Sequence, residues 1–134
     1  MARVYKHHVG PDDYVGRVQG NGRVYRQTFG PDEYLGRVED NGHVYGHSPG
    51  PDLYLGRVEK NGKIYRHVAG GVDVNVGRVE DNGKIYARQP GISHDELIGR
   101  VEGEPMIIAA GAAFFLLLGG VEWSGQLART ESSD

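Results

Sequence analysis

Three histidines recur at one position of a repeating sequence unit. His7, His47 and His67 each stand two residues after a repeated tyrosine, where the other two units carry Gln27 and Arg88. Imidazole binds anions and metal ions and titrates near neutral pH, so histidines gathered on one circle about an axis would form a candidate ligand site or pH sensor. A solvated strand position that tolerates several polar residues explains the same pattern, and we favour that explanation.

An arginine recurs more strictly than the histidines do. It stands in five copies of a Gly-Arg-Val tripeptide, spaced by 20, 20, 21 and 22 residues. The arginines are Arg17, Arg37, Arg57, Arg78 and Arg100. Such a set could hold a polyanion or an acidic protein, but each unit also carries a tyrosine on which the guanidinium can stack. We favour the structural role.

The residue pattern within each unit predicts a β-hairpin. Short runs of β-branched and aromatic residues flank Asn-Gly, which is a strong local hairpin signal, and Gly-Pro-Asp turns often join one unit to the next. A three-residue loop places Glu59 opposite Lys63. A two-residue loop would place Arg17 opposite Arg26, and like charges destabilise a strand pair. We therefore predict the three-residue loop, with valines on one face and the arginines and tyrosines on the other.

The two ends of the repeat array predict that it closes on itself. The chain opens with only the second half of a hairpin, Arg3-Val4-Tyr5, and no returning strand follows the last tripeptide at Gly99. The N-terminal strand is free to complete that hairpin, and closure removes exposed strand edges. We predict an all-β domain over residues 1–104, in which five β-hairpin repeats of about 20 residues close into a five-petalled ring.

The repeats resemble those of the five-fold β-flower proteins, a family of small bacterial proteins. That family has Gly-Arg-Val and Asn/Asp-Gly-Lys-Ile-Tyr repeats arranged as petals around an axis, and the resemblance covers about residues 3–104. The family also has an Ala/Gly/Leu-rich ending similar to residues 109–118. The resemblance implies a β-flower fold. It implies no functional residue, because the family has no established activity, and the longer connections at 68–76 and 89–98 depart from its pattern.

An apolar segment follows the repeats at residues 105–121. No charged residue stands between Glu104 and Glu122, and these 17 residues would extend about 25 Å as a helix, at the lower limit for crossing a bilayer. Its length and glycines suit buried strands bent at Gly111 equally well. We favour a segment buried in or against the ring, with a membrane anchor that has Trp123 at the interface as the alternative. A third possibility is a docking or membrane contact. Its residues would be Phe114, Phe115, Leu116, Leu117, Leu118 and Trp123.

Composition narrows the classes of function. The net charge of −3 gives no electrostatic footprint for nucleic acid, and the absence of cysteine excludes disulfides and thiolate metal sites. No nucleophile elbow, phosphate-binding loop or HExxH motif occurs, so we expect no catalytic residue, metal or cofactor.

The N-terminus lacks an apolar signal-peptide core, which favours a cytoplasmic location or the cytoplasmic face of a membrane. Residues 122–134 are expected to form a polar tail.

These observations favour a non-catalytic structural or interaction protein. We expect a small β-repeat scaffold or accessory subunit that binds other protein subunits, with membrane contact through residues 105–121 as an option. One alternative is a membrane-anchored accessory subunit of a larger bacterial membrane complex, of which a photosynthetic or respiratory assembly would be an example. The other is a ligand binder that uses an axial ring of the recurring histidines and arginines.

Overall fold

The chain folds into a closed antiparallel β-barrel with a helix inside it. The computed structural model describes residues 1–89, 91 and 94–120. Strands that are neighbours in the chain pair with each other, and β1 pairs with both β2 and β10. The elements of the described residues are β1 (Ala2–Lys6), β2 (Asp13–Val18), β3 (Arg23–Arg26), β4 (Glu33–Val38), β5 (His43–Gly46), β6 (Leu53–Val58), β7 (Lys63–Arg66), β8 (Val74–Val79), β9 (Lys84–Ala87), β10 (Glu96–Gly103) and α1 (Met106–Leu116).

The Asn-Gly turns have the predicted three-residue loops. Between β6 and β7, the Glu59 N–H donates to the Lys63 carbonyl oxygen at 2.9 Å, and the Gly62 N–H donates to the Glu59 carbonyl oxygen at 2.9 Å. Gly62 has a φ of 89°, a conformation that glycine adopts without steric cost. The Asn61 side-chain oxygen accepts a hydrogen bond from the Lys63 N–H at 3.0 Å. Asn-Gly therefore sets the strand register that we predicted.

The N-terminal strand closes the barrel, which confirms the prediction drawn from the two ends of the array. β1 pairs with β10 so that Val4 lies opposite Val101 and Tyr5 lies opposite Arg100. The paired strands come from opposite ends of the repeat array. Their pairing covers the edge that β10 would otherwise expose.

The inner face of the barrel carries small and β-branched residues. Val24, Val44 and Ile64 are fully buried, and the valine of each Gly-Arg-Val tripeptide is also buried. Because side chains alternate along a strand, the arginine beside each of these valines lies on the outer face. The separation of valines from arginines and tyrosines is the one that we predicted.

The apolar segment is buried in the barrel, as we favoured, but it forms a helix, so the prediction of strands in this segment was wrong. α1 is apolar on all sides, as is typical of a fully buried helix, and residues 109–116 are buried. It contacts strands on different sides of the barrel, including β1, β4, β6 and β10. A strand inside a closed barrel would find no free edge to pair with, whereas a helix satisfies its own backbone groups. The described residues contain no helix with the length and apolar character needed to span a membrane.

The glycine of each Gly-Arg-Val tripeptide leaves space for one side chain of residues 114–118, at or just beyond the C-terminal end of α1. A Cβ at Gly56 would lie 2.6 Å from Phe115 Cζ. The pairs of glycine and filling side chain are Gly77 with Phe114, Gly56 with Phe115, Gly36 with Leu116, Gly16 with Leu117 and Gly99 with Leu118. The Leu118 N–H donates to the Ala113 carbonyl oxygen, five residues earlier, at 2.9 Å, so the chain makes a wider turn here than in an α-helix. Consecutive side chains of residues 114–118 meet glycines on different strands.

The same packing corrects the docking contact considered from sequence. Residues 114–118 are at most 8% exposed, so they form part of the core and present no surface for docking. Trp123, the other residue of that expected contact, and the polar tail at 122–134 lie outside the described residues.

Candidate functional site

The recurring arginines form a belt on the outer face of the barrel. Each guanidinium carbon lies 4.0 to 4.7 Å from the ring centroid of a tyrosine on the adjacent strand. The pairs are Arg17 with Tyr25, Arg37 with Tyr45, Arg57 with Tyr65, Arg78 with Tyr86 and Arg100 with Tyr5. Each exposed pair contributes about 0.5–1 kcal/mol to stability. We call these arginines and the side chains paired with them the outer belt. The arginines of the outer belt stack on tyrosines, in agreement with the structural role that we favoured.

Each belt arginine also contacts an aspartate in the turn that leads into the next hairpin. We did not predict this contact. Arg57 donates to Asp73, and Arg100 Nε donates to Asp12 Oδ2 at 3.0 Å. The other pairs are Arg17 with Asp32, Arg37 with Asp52 and Arg78 with Asp95. The sequence contains a signal for this contact, because an aspartate stands four residues before the glycine of every Gly-Arg-Val tripeptide. These contacts join each hairpin to the next.

The recurring histidines also lie in the outer belt, each beside one of these aspartates. The distance from the histidine Nδ1 to the carboxylate is 3.2 to 3.5 Å. The pairs are His7 with Asp12, His47 with Asp52 and His67 with Asp73. α1 occupies the barrel axis, so the histidines and arginines form no axial ring. The described part of the chain contains no group of His, Cys, Asp and Glu side chains that could hold a metal ion.

Shifted pKa values occur at Asp12, in the outer belt, and at Tyr34, whose ring centroid lies 5.6 Å from that of the belt residue Tyr25. The hydrogen bond from Arg100 holds the pKa of Asp12 below its usual value, and the hydrogen bond with His7 acts in the same direction. Burial raises the pKa of Tyr34, and the Asp52 carboxylate adds to the rise. Both shifts move the group further from neutral pH. Neither pKa shift therefore brings the group closer to the pKa range in which it could act as a general acid or base at neutral pH.

The turns at one end of the barrel expose apolar side chains that we did not predict as contacts. Phe29 is 114% exposed, Val9 is 100% exposed and Val72 is 87% exposed. Pro49, which precedes its turn's aspartate by three residues as Phe29 does, is also exposed. We call this set the turn rim: Val9, Phe29, Pro49 and Val72. Its residue types differ from turn to turn, so sequence repetition does not reveal it.

The opposite end of the barrel contains an open cavity of about 710 Å³, which we call the mouth cavity. Its apolar wall comprises Val58 and the first turn of α1, at residues 106–108. The charged side chains around it are Asp40, Arg57, Glu59, Lys60 and Glu104. Its volume falls in the range of roughly 300–1,000 Å³ that is typical of ligand pockets.

Comparison with known proteins gives no match. No protein-family model matches the chain, and neither the curated proteins nor the solved structures contain a match to it. The candidate function is therefore argued from the described surfaces alone.

Proposed function

We propose that this protein is a non-catalytic scaffold or accessory subunit that binds other proteins through the turn rim. The observation that carries the proposal is the full exposure of Phe29 at the tip of its turn. Burying a large apolar side chain contributes about 1.5–3 kcal/mol. A barrel with several such side chains at one end is stabilised when a partner covers them, as is typical of interaction sites.

The contacts of the outer belt favour this role over ligand binding. Each belt arginine already contacts an aspartate and a tyrosine, so a polyanion would have to compete with both. At Arg57, for example, the guanidinium donates to Asp73, lies 3.3 Å from Glu59 and stacks on Tyr65. These contacts support a structural role for the belt. The turn rim has no comparable set of contacts within the described chain.

The finer classification as a five-petalled β-flower is part of the same proposal. The hairpin pairing and the closure between β1 and β10 support it, with each hairpin as one petal. The alternative of a membrane-anchored accessory subunit relied on residues 105–121. Because the helix in that segment is buried within the barrel, we assign partner binding to the turn rim instead.

Co-purification of the native protein under mild detergent tests the proposal. We expect a partner protein to be retained by the natural chain and lost from the triple variant Val9→Ser/Phe29→Ser/Val72→Ser. The matched control is Gly20→Ser/Asp81→Ser, which changes exposed residues in the loops at the opposite end of the barrel. Retention of the same partner by the triple variant, or loss by the control, would show that the turn rim is not the binding surface.

A further inference from the structure

We propose that this protein binds a small phosphate monoester in an open pocket beside β8. The pocket has a volume of about 490 Å³, within the range of roughly 300–1,000 Å³ that is typical of ligand pockets. We call it the arginine pocket, and its lining side chains are those of Arg66, Val74, Asn75, Val76, Arg88 and Gln89. None of them belongs to the turn rim, so the inference goes beyond the proposed function and does not depend on it.

Arg66 lacks the acidic neighbour that the corresponding arginine of another unit has. Arg26 ends β3 as Arg66 ends β7, and its Nε lies 3.5 Å from Oε1 of Glu33, the residue opposite it on the next strand. The residue opposite Arg66 is Val74. Among the described residues, no carboxylate forms an ion pair with the exposed Arg66. Its guanidinium is therefore available to an anion.

Arg88 also stands where other units place a side chain beside a carboxylate. His67, at the corresponding position, lies 3.3 Å from the Asp73 carboxylate and contacts the ring of Tyr54. Arg88 instead donates to Asn75 Oδ1 at 3.0 Å, and Asn75 stands at the position that corresponds to Tyr54. The part of the chain that the structure describes gives Arg88 no carboxylate partner. Because asparagine is smaller than tyrosine, it leaves space beside Arg88 where the other unit has an aromatic ring.

Asn75 holds Arg88 in place before a ligand binds. The Asn75 Nδ2 donates to the Ile64 carbonyl oxygen at 3.1 Å and to the Gly77 carbonyl oxygen at 3.2 Å. These two bonds to strand backbone orient the amide so that its oxygen accepts from Arg88. A guanidinium that is already oriented loses less conformational freedom on binding, and its remaining N–H groups can donate to the ligand. Asn75 is therefore a positioning residue of the arginine pocket.

The carboxylates near the arginine pocket have other partners. Asp73 and Asp95, in the adjoining turns, each accept a hydrogen bond from a belt arginine. Glu96 accepts a hydrogen bond from Gln89 Nε2 at 2.8 Å. Two arginines and no carboxylate give the described lining a net charge of +2, and Glu96 at its edge reduces the local charge to +1. The pocket therefore favours an anion.

Two guanidinium groups match a phosphate group better than a carboxylate. One arginine can satisfy both oxygens of a carboxylate with parallel hydrogen bonds, whereas a phosphate monoester has three terminal oxygens and nearly two negative charges at neutral pH. Arg66 and Arg88 approach from the two strands that pair with β8. Val74, which is 44% exposed, and Val76 give apolar contact to the organic group of the ester.

Isothermal titration calorimetry with phenyl phosphate tests the site. We expect saturable binding by the natural protein with a dissociation constant of about 1 mM or below, as two charge-assisted contacts would give. Arg66→Gln and Arg88→Gln should each weaken binding at least about 10-fold. The matched control is Lys63→Gln, which removes one positive charge at the exposed start of β7. Its affinity should stay within about twofold of the natural protein's, because salt screens a distant surface charge.

Two further variants keep both arginines and use residue types that other units carry at the same positions. Val74→Glu places a carboxylate opposite Arg66, and Asn75→Tyr places an aromatic ring in the pocket. Each should weaken the binding of phenyl phosphate at least about 10-fold while the circular dichroism spectrum stays that of the natural protein. If either variant fails to fold, the two arginine variants, at exposed positions, decide the question.

Several results would overturn the proposal. They are an absence of saturable binding at phenyl phosphate concentrations up to about 20 times the expected constant, unchanged affinity in Arg66→Gln and Arg88→Gln, and equal affinity for benzoate, which carries a carboxylate on the same ring. Binding of phosphatidic acid vesicles through Arg66, without binding of phenyl phosphate, would refute a small soluble ligand. The turn-rim triple variant should bind phenyl phosphate as the natural protein does, so the two proposals fail separately. Loss of binding in that variant would place the ligand at the turn rim and refute the arginine pocket.

Discussion

Replacing Gly56 by alanine tests whether the glycine of Gly-Arg-Val is required by the packing of α1. The new Cβ would stand 2.2 Å from the Tyr65 carbonyl oxygen and 2.6 Å from Phe115 Cζ. Non-bonded carbon atoms are usually separated by about 3.5–4.0 Å. The carbonyl belongs to a paired strand and Phe115 is fully buried, so neither group can move away freely.

The expected cost follows from these two overlaps. Adding one methyl group to a well-packed core costs about 1–3 kcal/mol, and occasionally more. Because one of the two overlaps involves backbone, we expect a loss of about 3 kcal/mol in the free energy of unfolding for Gly56→Ala. For a domain of this size, that corresponds to a fall in Tm of about 10–15 °C.

Urea denaturation and thermal unfolding, both followed by circular dichroism, measure the effect. The control is Gly50→Ala, because a Cβ at Gly50 would have no heavy atom within 4 Å. We expect the control to change the free energy of unfolding by less than about 0.5 kcal/mol. If Gly56→Ala were as stable as Gly50→Ala, the close packing between strand and helix would be refuted.

Three further predictions concern the core, the closure and the outer belt. Phe115→Ala should reduce the free energy of unfolding by about 3–5 kcal/mol in urea denaturation, because it leaves a cavity in the core, and a loss below about 1 kcal/mol would contradict the buried position. Deleting residues 1–6 removes β1 and should abolish the cooperative thermal transition, whereas an unchanged transition would show that closure is dispensable. In a carboxyl NMR titration, Asp12 should have its midpoint below 3.8, the usual value for aspartate, and Arg100→Gln should raise it; a midpoint at or above 3.8 in the natural protein would contradict the pairing. Because the pKa of Asp12 is depressed in the folded protein, its contribution to stability is present above the unfolded pKa and is lost as the pH falls through the folded pKa. Asp12→Asn should therefore lower the Tm at about pH 7 but not at about pH 2.

The hairpins and their closure could be predicted because local rules determine them. The opposition of Glu59 and Lys63 distinguishes the three-residue loop from the two-residue loop, and the observed hydrogen bonds between these residues agree with that choice. The half hairpin at Arg3-Val4-Tyr5 likewise has one free partner, the strand that contains the last Gly-Arg-Val tripeptide at Gly99. In both cases the information lies in residues that are paired directly.

The helix could not be predicted because its sequence has no polar face. A segment that is apolar on all sides shows neither the period of an amphipathic helix nor that of a half-buried strand. Its length and glycines are compatible with either structure. The decisive fact is the closed barrel around it, which leaves no free strand edge inside.

The contacts between turns and belt were missed for a different reason. Asp52 belongs to a Gly-Pro-Asp turn, and its type there indicates a local turn former, although it also contacts Arg37 on another hairpin. A recurring residue can serve both purposes, and turn chemistry alone does not reveal the second. Phe29 was missed because its turn position carries a different residue type in each unit, so the repeats contain no pattern that indicates its exposure.

Residues 114–118 distinguish the near-identical units from one another, because each unit packs against a different residue of this segment. Copies of one unit would be interchangeable if they contacted only each other, but here a single segment that is not repeated packs against all of them. From Gly16 to Gly77 the neighbouring residue runs backwards from Leu117 to Phe114. A substitution in one unit is therefore expected to be compensated during evolution at one defined position of this segment. Two units could be exchanged without loss only if their partner residues were exchanged as well.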